Sequence, residues 1–176
     1  EIAETIGEPR AIGRAIDALG MMSRAEGDFA RSQELHEQSL AIGRETGDLL
    51  LETSALSSLG ATAFARGELQ TANRYFGLVV EATTKLKHDR YLSIGYLNYG
   101  ASFFELGQMD EALHWAERSY ELASRINEQR TLAMALINLA EIAANRNDHD
   151  AARIRLAEAL PIFAAMEDRY SIEAVA

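Results

Sequence analysis

A period of 40 residues runs through the chain and limits what it can fold into. Two positions of this period hold small or turn-forming residues: Gly20, Gly60, Gly100 and Ala140 at the first, and Gly27, Gly67, Gly107 and Asn147 at the second. A strict period of this size indicates one small supersecondary unit stacked on itself, an architecture that typically presents a binding surface rather than a catalytic pocket. We therefore predict a single repeat array over residues 1–176.

The composition indicates that the repeated unit is helical. Hydrophobic residues make up 48% of the chain, but only 7% are aromatic and only two residues are proline, which is typical of Ala- and Leu-rich helices rather than of strands. Each repeat is predicted to hold two helices. The first helices are predicted at 9–25, 50–65, 90–106 and 130–145, and the second helices at 28–46, 68–86, 109–126 and 148–166. The complete repeats are about 8–47, 48–87, 88–127 and 128–167, with partial repeats at 1–7 and 168–176.

The glycine positions predict how the helices meet. Gly27 and its equivalents tolerate the left-handed backbone that ends a helix, and Asp28 and Asp148 follow as caps of the next helix. Gly60 and Gly100 lie inside a helix, where glycine costs about 1 kcal/mol relative to alanine, so a close approach of the paired helix is predicted there. Pro161 falls within a second helix, where a kink or an early end is expected.

Apolar spacing predicts the buried faces of the first helices. Ile12, Ile16 and Leu19 follow the i, i+4, i+7 pattern of one buried stripe. The same pattern recurs in the third repeat at Leu92, Tyr96, Tyr99 and Phe103.

Charge and cysteine content exclude several classes of function. The formal net charge is −10, whereas nucleic-acid binding requires clustered lysine and arginine, so we predict no nucleic-acid partner. The chain has no cysteine, which fits a reducing compartment such as the cytoplasm. Its apolar runs are shorter than the roughly 20 residues of a membrane span, and we predict no membrane contact.

No arrangement of residues predicts catalysis, a metal site or a cofactor. None of the four histidines, which are His36, His88, His114 and His149, belongs to an HExxH motif. Gly95 and Gly100 are not followed by the lysine of a phosphate-binding loop. We therefore expect no catalytic residue, no metal and no cofactor.

The spaced residues resemble the tetratricopeptide repeat. The family pattern of Leu-Gly, a small or aromatic residue, Gly, Ala, an aromatic residue and a small residue is matched by Leu59-Gly60, Ala63, Gly67, Ala72, Phe76 and Val79. The resemblance implies a right-handed superhelix, or α-solenoid, of antiparallel helix pairs. The period exceeds the usual 34 residues and is similar to the long repeats of MalT-like transcriptional regulators, signal-transducing ATPases and kinesin light chains.

The resemblance also implies a binding groove lined by the first helices. Asn98 and Asn138 match an asparagine that grips an extended peptide in kinesin light chains and similar arrays, although two such amides could equally bridge neighbouring helices. The other predicted contacts are Met21, Arg24, Phe64, Phe104, Glu141 and Asn145, of which the apolar members could equally belong to the core. Asp17 stands where a carboxylate clamp would need a basic residue.

We thus expect a non-catalytic module that binds a protein or an extended peptide in a concave groove, as the sensing or scaffolding part of a larger intracellular signalling protein. One alternative is a small-molecule or signal-peptide sensor of a MalT-like regulator, and another is a structural spacer or self-association domain. The partial repeats predict exposed apolar ends that could associate end to end. Those ends would expose Ile2, Ile6, Ile162 and Met166.

Overall fold

The computed structural model describes residues 2–166, with side chains from residue 9 onward. It consists of eight helices joined by turns of two or three residues. The helices are α1 Ile2–Ala25, α2 Phe29–Thr46, α3 Leu49–Ala65, α4 Leu69–Leu86, α5 Asp89–Glu105, α6 Met109–Arg125, α7 Gln129–Asn145 and α8 His149–Ala165. No strand occurs between residues 2 and 166. The all-α prediction is confirmed, and from α2 onward each predicted boundary lies within one residue of the observed one.

The helices form two compact halves, an N-terminal half at residues 1–86 with α1 to α4 and a C-terminal half at 87–176 with α5 to α8. Inside each half the helices pack as consecutive pairs, α1 on α2 and α3 on α4, then α5 on α6 and α7 on α8. The first helices also contact each other, α1 with α3 and α5 with α7. This packing is that of helix-pair repeats, and the prediction of one continuous array stays a prediction.

The turns show why the period has its small residues. Gly27, Gly67, Gly107 and Asn147 all have a positive φ, between 62° and 85°, which is the left-handed conformation that glycine and asparagine tolerate best. The predicted caps are confirmed, because the side chain of Asp28 accepts a hydrogen bond from the backbone N–H of Arg31, and that of Asp148 accepts one from Ala151.

The glycines inside the first helices lie where the second helix comes closest. A Cβ atom added at Gly60 would lie 2.6 Å from the ring of Phe76, and one at Gly100 would lie 3.2 Å from the backbone nitrogen of Ala116. These separations are shorter than ordinary van der Waals contact, so the absence of a side chain sets the distance between the paired helices.

Two predicted interruptions are absent from the described helices, one after the partial repeat at 1–7 and the other an early end at Pro161. Gly7 aligns with the turn residue Gly47, yet α1 continues from Ile2 through Gly7 and Pro9. Likewise α8 continues past Pro161 to Ala165 instead of ending early. A proline removes one backbone hydrogen bond and its ring crowds the carbonyl four residues earlier, but its φ suits a helix, so a helix supported by its neighbours can include it. The predicted partial repeat at 168–176 lies outside the described residues.

The predicted stripe of α1 is not buried. Ile12 and Leu19 are largely exposed, and Ile16 is half-buried. In the third repeat Tyr96 is buried, but Leu92, Tyr99 and Phe103 are only half-buried. The spacing identified one helix face, but burial also needs a neighbouring helix to cover that face. Ile162 and Met166, predicted to be exposed, are half-buried, and the side chains of Ile2 and Ile6 lie outside the described residues.

Candidate functional site

The C-terminal half presents a partly exposed face on its two first helices, which we call the amide face. α5 and α7 pack against each other, so residues at the same position of the period lie on neighbouring helices. The members of the amide face are half-buried or exposed: Ile94, Leu97, Asn98, Ala101 and Phe104 on α5, and Met134, Ile137, Asn138, Glu141 and Asn145 on α7. Apolar side chains with a few polar groups among them are typical of a binding surface.

Asn98 and Asn138 occupy equivalent positions of the amide face, and both are half-buried. The Nδ2 atom of Asn138 is covered, and it has no hydrogen-bond acceptor among the described residues. A covered amide nitrogen without an acceptor costs about 1 to 3 kcal/mol. Nδ2 of Asn138 therefore donates no hydrogen bond to a described residue of a neighbouring helix, and the assignment of Asn98 and Asn138 to a peptide site stays a prediction.

Glu141 gives the amide face an acidic edge. Partial burial raises the pKa of Glu141, and the nearby carboxylate of Glu105 raises it further. Asn145 lies one turn later on α7 and is exposed. The remaining predicted residue, Phe104, packs partly against the core cluster of Ala112, Ala116, Leu139 and Ile142, so its ring supports the fold as well as the amide face.

The N-terminal half holds the other predicted contacts. Met21 is exposed on α1, whereas Arg24 and Phe64 are half-buried. The Nε atom of Arg24 is covered and has no acceptor among the described residues. This half thus offers an apolar side chain and an unpaired donor, but it has no asparagine at the positions equivalent to Asn98 and Asn138, which are Ala18 and Ser58.

A buried polar network takes the place of such amides in the N-terminal half. The carboxylate of Asp17 lies 2.7 Å from Nδ1 of His36 and accepts a hydrogen bond of 2.7 Å from the Ser54 hydroxyl. Burial opposes ionisation of Asp17, but hydrogen bonds from His36, Ser54 and Ser58 outweigh that effect and hold its pKa below the ordinary value. His36 is fully buried, so no substrate can reach its ring, and the network serves to join α1, α2 and α3.

The sequence contains a signal for this network that the residue spacing alone does not show. His36 occupies the position held by Phe76 in the next repeat, and both rings pack on a glycine, Gly20 and Gly60 respectively. A polar ring at a core position requires a buried hydrogen-bond partner. Asp17, one helical turn before Gly20, is the residue placed to supply it.

Within residues 2–166, no group of three or more histidine, cysteine or acidic side chains is arranged to hold a metal ion. No helix in that range combines the length and the apolar character that crossing a membrane requires.

Comparison with known proteins connects this geometry to a family. Two models, both described as tetratricopeptide repeat, match residues 13–46 and 91–165, which together include more than half of the chain. No curated protein sequence matches it.

Several solved structures share the fold at low sequence identity. A Rap protein in complex with Competence and Sporulation Factor aligns with a TM-score of 0.81 and 15% identity over 93% of this chain. A signal transduction ATPase with a tetratricopeptide repeat sensor, from Pyrococcus horikoshii, aligns with a TM-score of 0.81 and 10% identity over 95%. A candidate kinesin light chain with tetratricopeptide-like repeats, from Podosopora anserina, aligns with a TM-score of 0.60 and 18% identity over 95%.

The chain matches these structures over different shares of their own length. It spans 45% of the Rap protein and 26% of the ATPase, but 92% of the kinesin light chain repeats. At these identities the likeness concerns the fold, and it agrees with the helix-pair architecture of both halves.

Proposed function

Because the chain belongs to the tetratricopeptide repeat family, we propose that it is a protein-interaction module whose amide face binds an extended peptide. The observation that carries this proposal is the covered Nδ2 atom of Asn138, which has no acceptor among the described residues. A backbone carbonyl of a bound peptide would supply the missing acceptor after a rotation of the amide group. Asn98, at the equivalent position of α5, would contact the peptide in the same way.

The chemistry of an amide suits this role. Each asparagine side chain offers two donors and one carbonyl acceptor, so it can pair with both the C=O and the N–H of a peptide backbone whatever the peptide's sequence. The apolar members of the amide face, among them Ile94, Leu97 and Met134, would contact side chains of the peptide. Flexible methionine side chains adapt to different apolar groups.

The N-terminal half, taken by itself, would offer contacts of its own on α1 and α3. The exposed Met21 and the half-buried Phe64 are its apolar contacts, and Arg24 supplies a donor whose Nε atom lacks an acceptor among the described residues. The Asp17 carboxylate is already bonded to His36 and Ser54. Asp17 is therefore assigned to the fold and not to the peptide.

We further propose that the module senses or recruits on behalf of a larger regulatory protein and has no catalytic role. The matched models describe a repeat and no catalytic family. Support for the sensing role comes from the ATPase of similar fold, whose repeats are described as a sensor, and from the Rap protein of similar fold that forms a complex with Competence and Sporulation Factor.

An array of short synthetic peptides, probed with the purified chain, tests the proposal. We expect at least one peptide to bind. Calorimetry with the peptide that binds most strongly then measures its affinity for the wild type and for each variant. The double variant Asn98→Ala/Asn138→Ala should bind this peptide more weakly by about 1 to 3 kcal/mol, since peptide groups would lose their partners. Circular dichroism should show an unchanged helix content.

Gln38→Ala is the matched control, because it removes an exposed amide from the middle of α2, which is not part of the amide face. It should leave the affinity unchanged. Equal affinity of the wild type and the double asparagine variant would place the site elsewhere, and an array on which no peptide binds would overturn the proposal.

A further inference from the structure

Two shallow pockets lie side by side along α4 in the N-terminal half, and Leu78 belongs to the lining of both. One has a volume of about 180 Å³ and is lined by residues of α2, α3 and α4, among them Leu49, the buried Leu56 and Ala82. The other has a volume of about 210 Å³ and is lined by α4 alone, including Tyr75. We call the two pockets, with Leu78 between them, the α4 groove.

The exposed leucines of the α4 groove are exceptions within the repeat. Leu78 is 43% exposed. The other second helices carry exposed polar residues at its position, which are Gln38, Arg118 and Glu158. Leu49 is 49% exposed, and the other first helices carry Pro9, Asp89 and Gln129 at its position. The fold of the repeat therefore does not require leucine at either position.

The exposure of these leucines does not arise at an end of the described chain. Described helices precede and follow both α3 and α4, so Leu49 and Leu78 have the same helical surroundings along the chain as other internal residues. Exposed apolar side chains that line one groove without a role in the core mark an interaction surface.

The charged residues of the α4 groove leave it slightly basic. Arg44 and Glu52 pair with each other at 3.1 Å. Arg74, Lys85 and Glu81 are exposed, and none of them forms an ion pair with a described residue. Two unpaired cations and one unpaired anion give the groove a net charge of +1, whereas the net charge of the chain is −10. This charge favours a partner with acidic residues.

The size and spacing of the pockets favour two side chains of one helix. Each pocket is smaller than the roughly 300 to 1,000 Å³ of typical small-molecule sites. Tyr75 lines one pocket and Ala82 lines the other. These residues are two helical turns apart, or about 10 Å. A helix lying along α4 reaches both pockets with its own positions i and i+7. An extended peptide presents one face every second residue, at about 7 Å or 13 Å, and does not match this spacing.

We propose that the α4 groove binds an acidic amphipathic helix of a partner protein. Two apolar residues of that helix, seven positions apart, would occupy the pockets on either side of Leu78. Acidic residues near its two ends would pair with Arg74 and Lys85. The α4 groove shares no residue with the amide face, so this surface is additional to the proposed peptide site.

Fluorescence anisotropy with a labelled helical peptide tests this inference. The peptide carries two leucines seven residues apart and glutamates at both ends, on a background of alanine and glutamine. A side-chain cross-link holds it helical, because short helices are marginal in water. A second peptide has lysines in place of the glutamates. The wild type should bind the glutamate peptide, and it should bind the lysine peptide about tenfold more weakly because like charges would meet at both ends.

Two variants connect the binding to the α4 groove. Leu78→Gln introduces the residue that α2 carries at the equivalent position, Gln38, so α4 should form normally. It should bind the glutamate peptide about tenfold more weakly, because the apolar surface shared by both pockets is lost. The double variant Arg74→Glu/Lys85→Glu should reverse the preference and bind the lysine peptide more tightly than the glutamate peptide.

Ile154→Gln is the matched control, because it removes an exposed apolar side chain from α8. It should bind like the wild type, and circular dichroism should show that all variants fold. The proposal would be overturned if the wild type failed to bind the glutamate peptide at up to about 1 mM, if it bound both peptides equally, or if Leu78→Gln kept the wild-type affinity. Binding of octanoate without binding of either peptide would assign the groove to a small amphipathic carboxylate and would also overturn it.

Discussion

His36 lies over Gly20 with its Nδ1 atom 2.7 Å from Oδ1 of Asp17, so one buried ring joins two helices by packing and by a hydrogen bond. An added Cβ at Gly20 would lie 2.6 Å from the ring, which means that the glycine makes the space that the histidine fills. The Ser54 hydroxyl donates to the other carboxylate oxygen. The first three helices therefore meet at one ionised group that is almost completely buried.

We expect Asp17→Asn to lower the free energy of unfolding at neutral pH by about 2 to 4 kcal/mol, because it removes a buried charged acceptor while its partners stay buried. The pKa of Asp17 is lowered in the folded chain. Its stabilising effect is therefore present above its ordinary pKa and is lost as the pH falls through the lowered value. Urea denaturation at several pH values should show a difference that shrinks towards acid pH.

The exposed Asp150 provides the control for that substitution. Its carboxylate forms a surface ion pair with Arg153 at 3.0 Å, so Asp150→Asn should change stability by less than about 1 kcal/mol. If Asp17→Asn proved as mild as Asp150→Asn at neutral pH, the network would not hold the three helices together.

Gly60→Val tests the close approach of α3 and α4. Phe76 is buried and its ring would lie 2.6 Å from the new Cβ, so the ring or the helix must move. We expect the free energy of unfolding to fall by about 1 to 3 kcal/mol through overpacking. Ala61→Val introduces the same branched side chain at the next, half-buried position of α3 and should cost less than about 1 kcal/mol. Equal midpoints of the two variants in urea would contradict the packing.

The helices could be predicted from the sequence because the local signals agree with the packing. Gly27 and Asp28 end one helix and cap the next, and both roles depend only on neighbouring backbone. Asp17 and His36 lie on different helices, and the period aligns equivalent residues of the repeats but does not show which side chains of two helices meet. The pairing is therefore seen only once α1 is placed against α2.

The surfaces were harder to predict than the helices. Leu19 and Leu59 share one position of the period, but one is exposed and the other is buried, because burial depends on whether a second helix lies against that face. For Asn138, the sequence predicted the helix face. The missing acceptor of Nδ2 depends on how the surrounding side chains are placed, which residue spacing does not reveal.

Glu141→Gln should make the chain more stable at neutral pH. Burial and the neighbouring Glu105 raise the pKa of Glu141 in the folded chain, so the folded state disfavours its charge. A raised carboxyl pKa costs stability as the pH rises above the ordinary value, and the cost is complete above the raised value. The urea midpoint of Glu141→Gln should therefore exceed that of the wild type at pH 7 and match it in acid.

Glu121→Gln is the comparison for that prediction, since it neutralises an exposed carboxylate on α6. If both glutamine variants shift the midpoint equally, the gain comes from the lower net negative charge and not from the surroundings of Glu141.

Lys87→Gly should stabilise the chain through the backbone alone. Lys87 has a φ of 51°, whereas the equivalent turn residue Gly47 has a φ of 64°. This left-handed conformation costs a residue with a side chain roughly 1 to 2 kcal/mol, and part of that gain is offset because glycine has more freedom in the unfolded chain. We expect the free energy of unfolding to rise by about 0.5 to 1 kcal/mol in urea denaturation.

Two further variants separate this backbone effect from others. Lys87→Ala removes the same charge but keeps a Cβ, so it should not reproduce the gain. Gly47→Lys reverses the change at a position where an added Cβ would meet no atom within 4 Å, so its loss of stability reports the backbone and not a clash. If Lys87→Ala stabilises as much as Lys87→Gly, the lysine charge is responsible, and if Gly47→Lys is neutral, the left-handed turns do not require glycine.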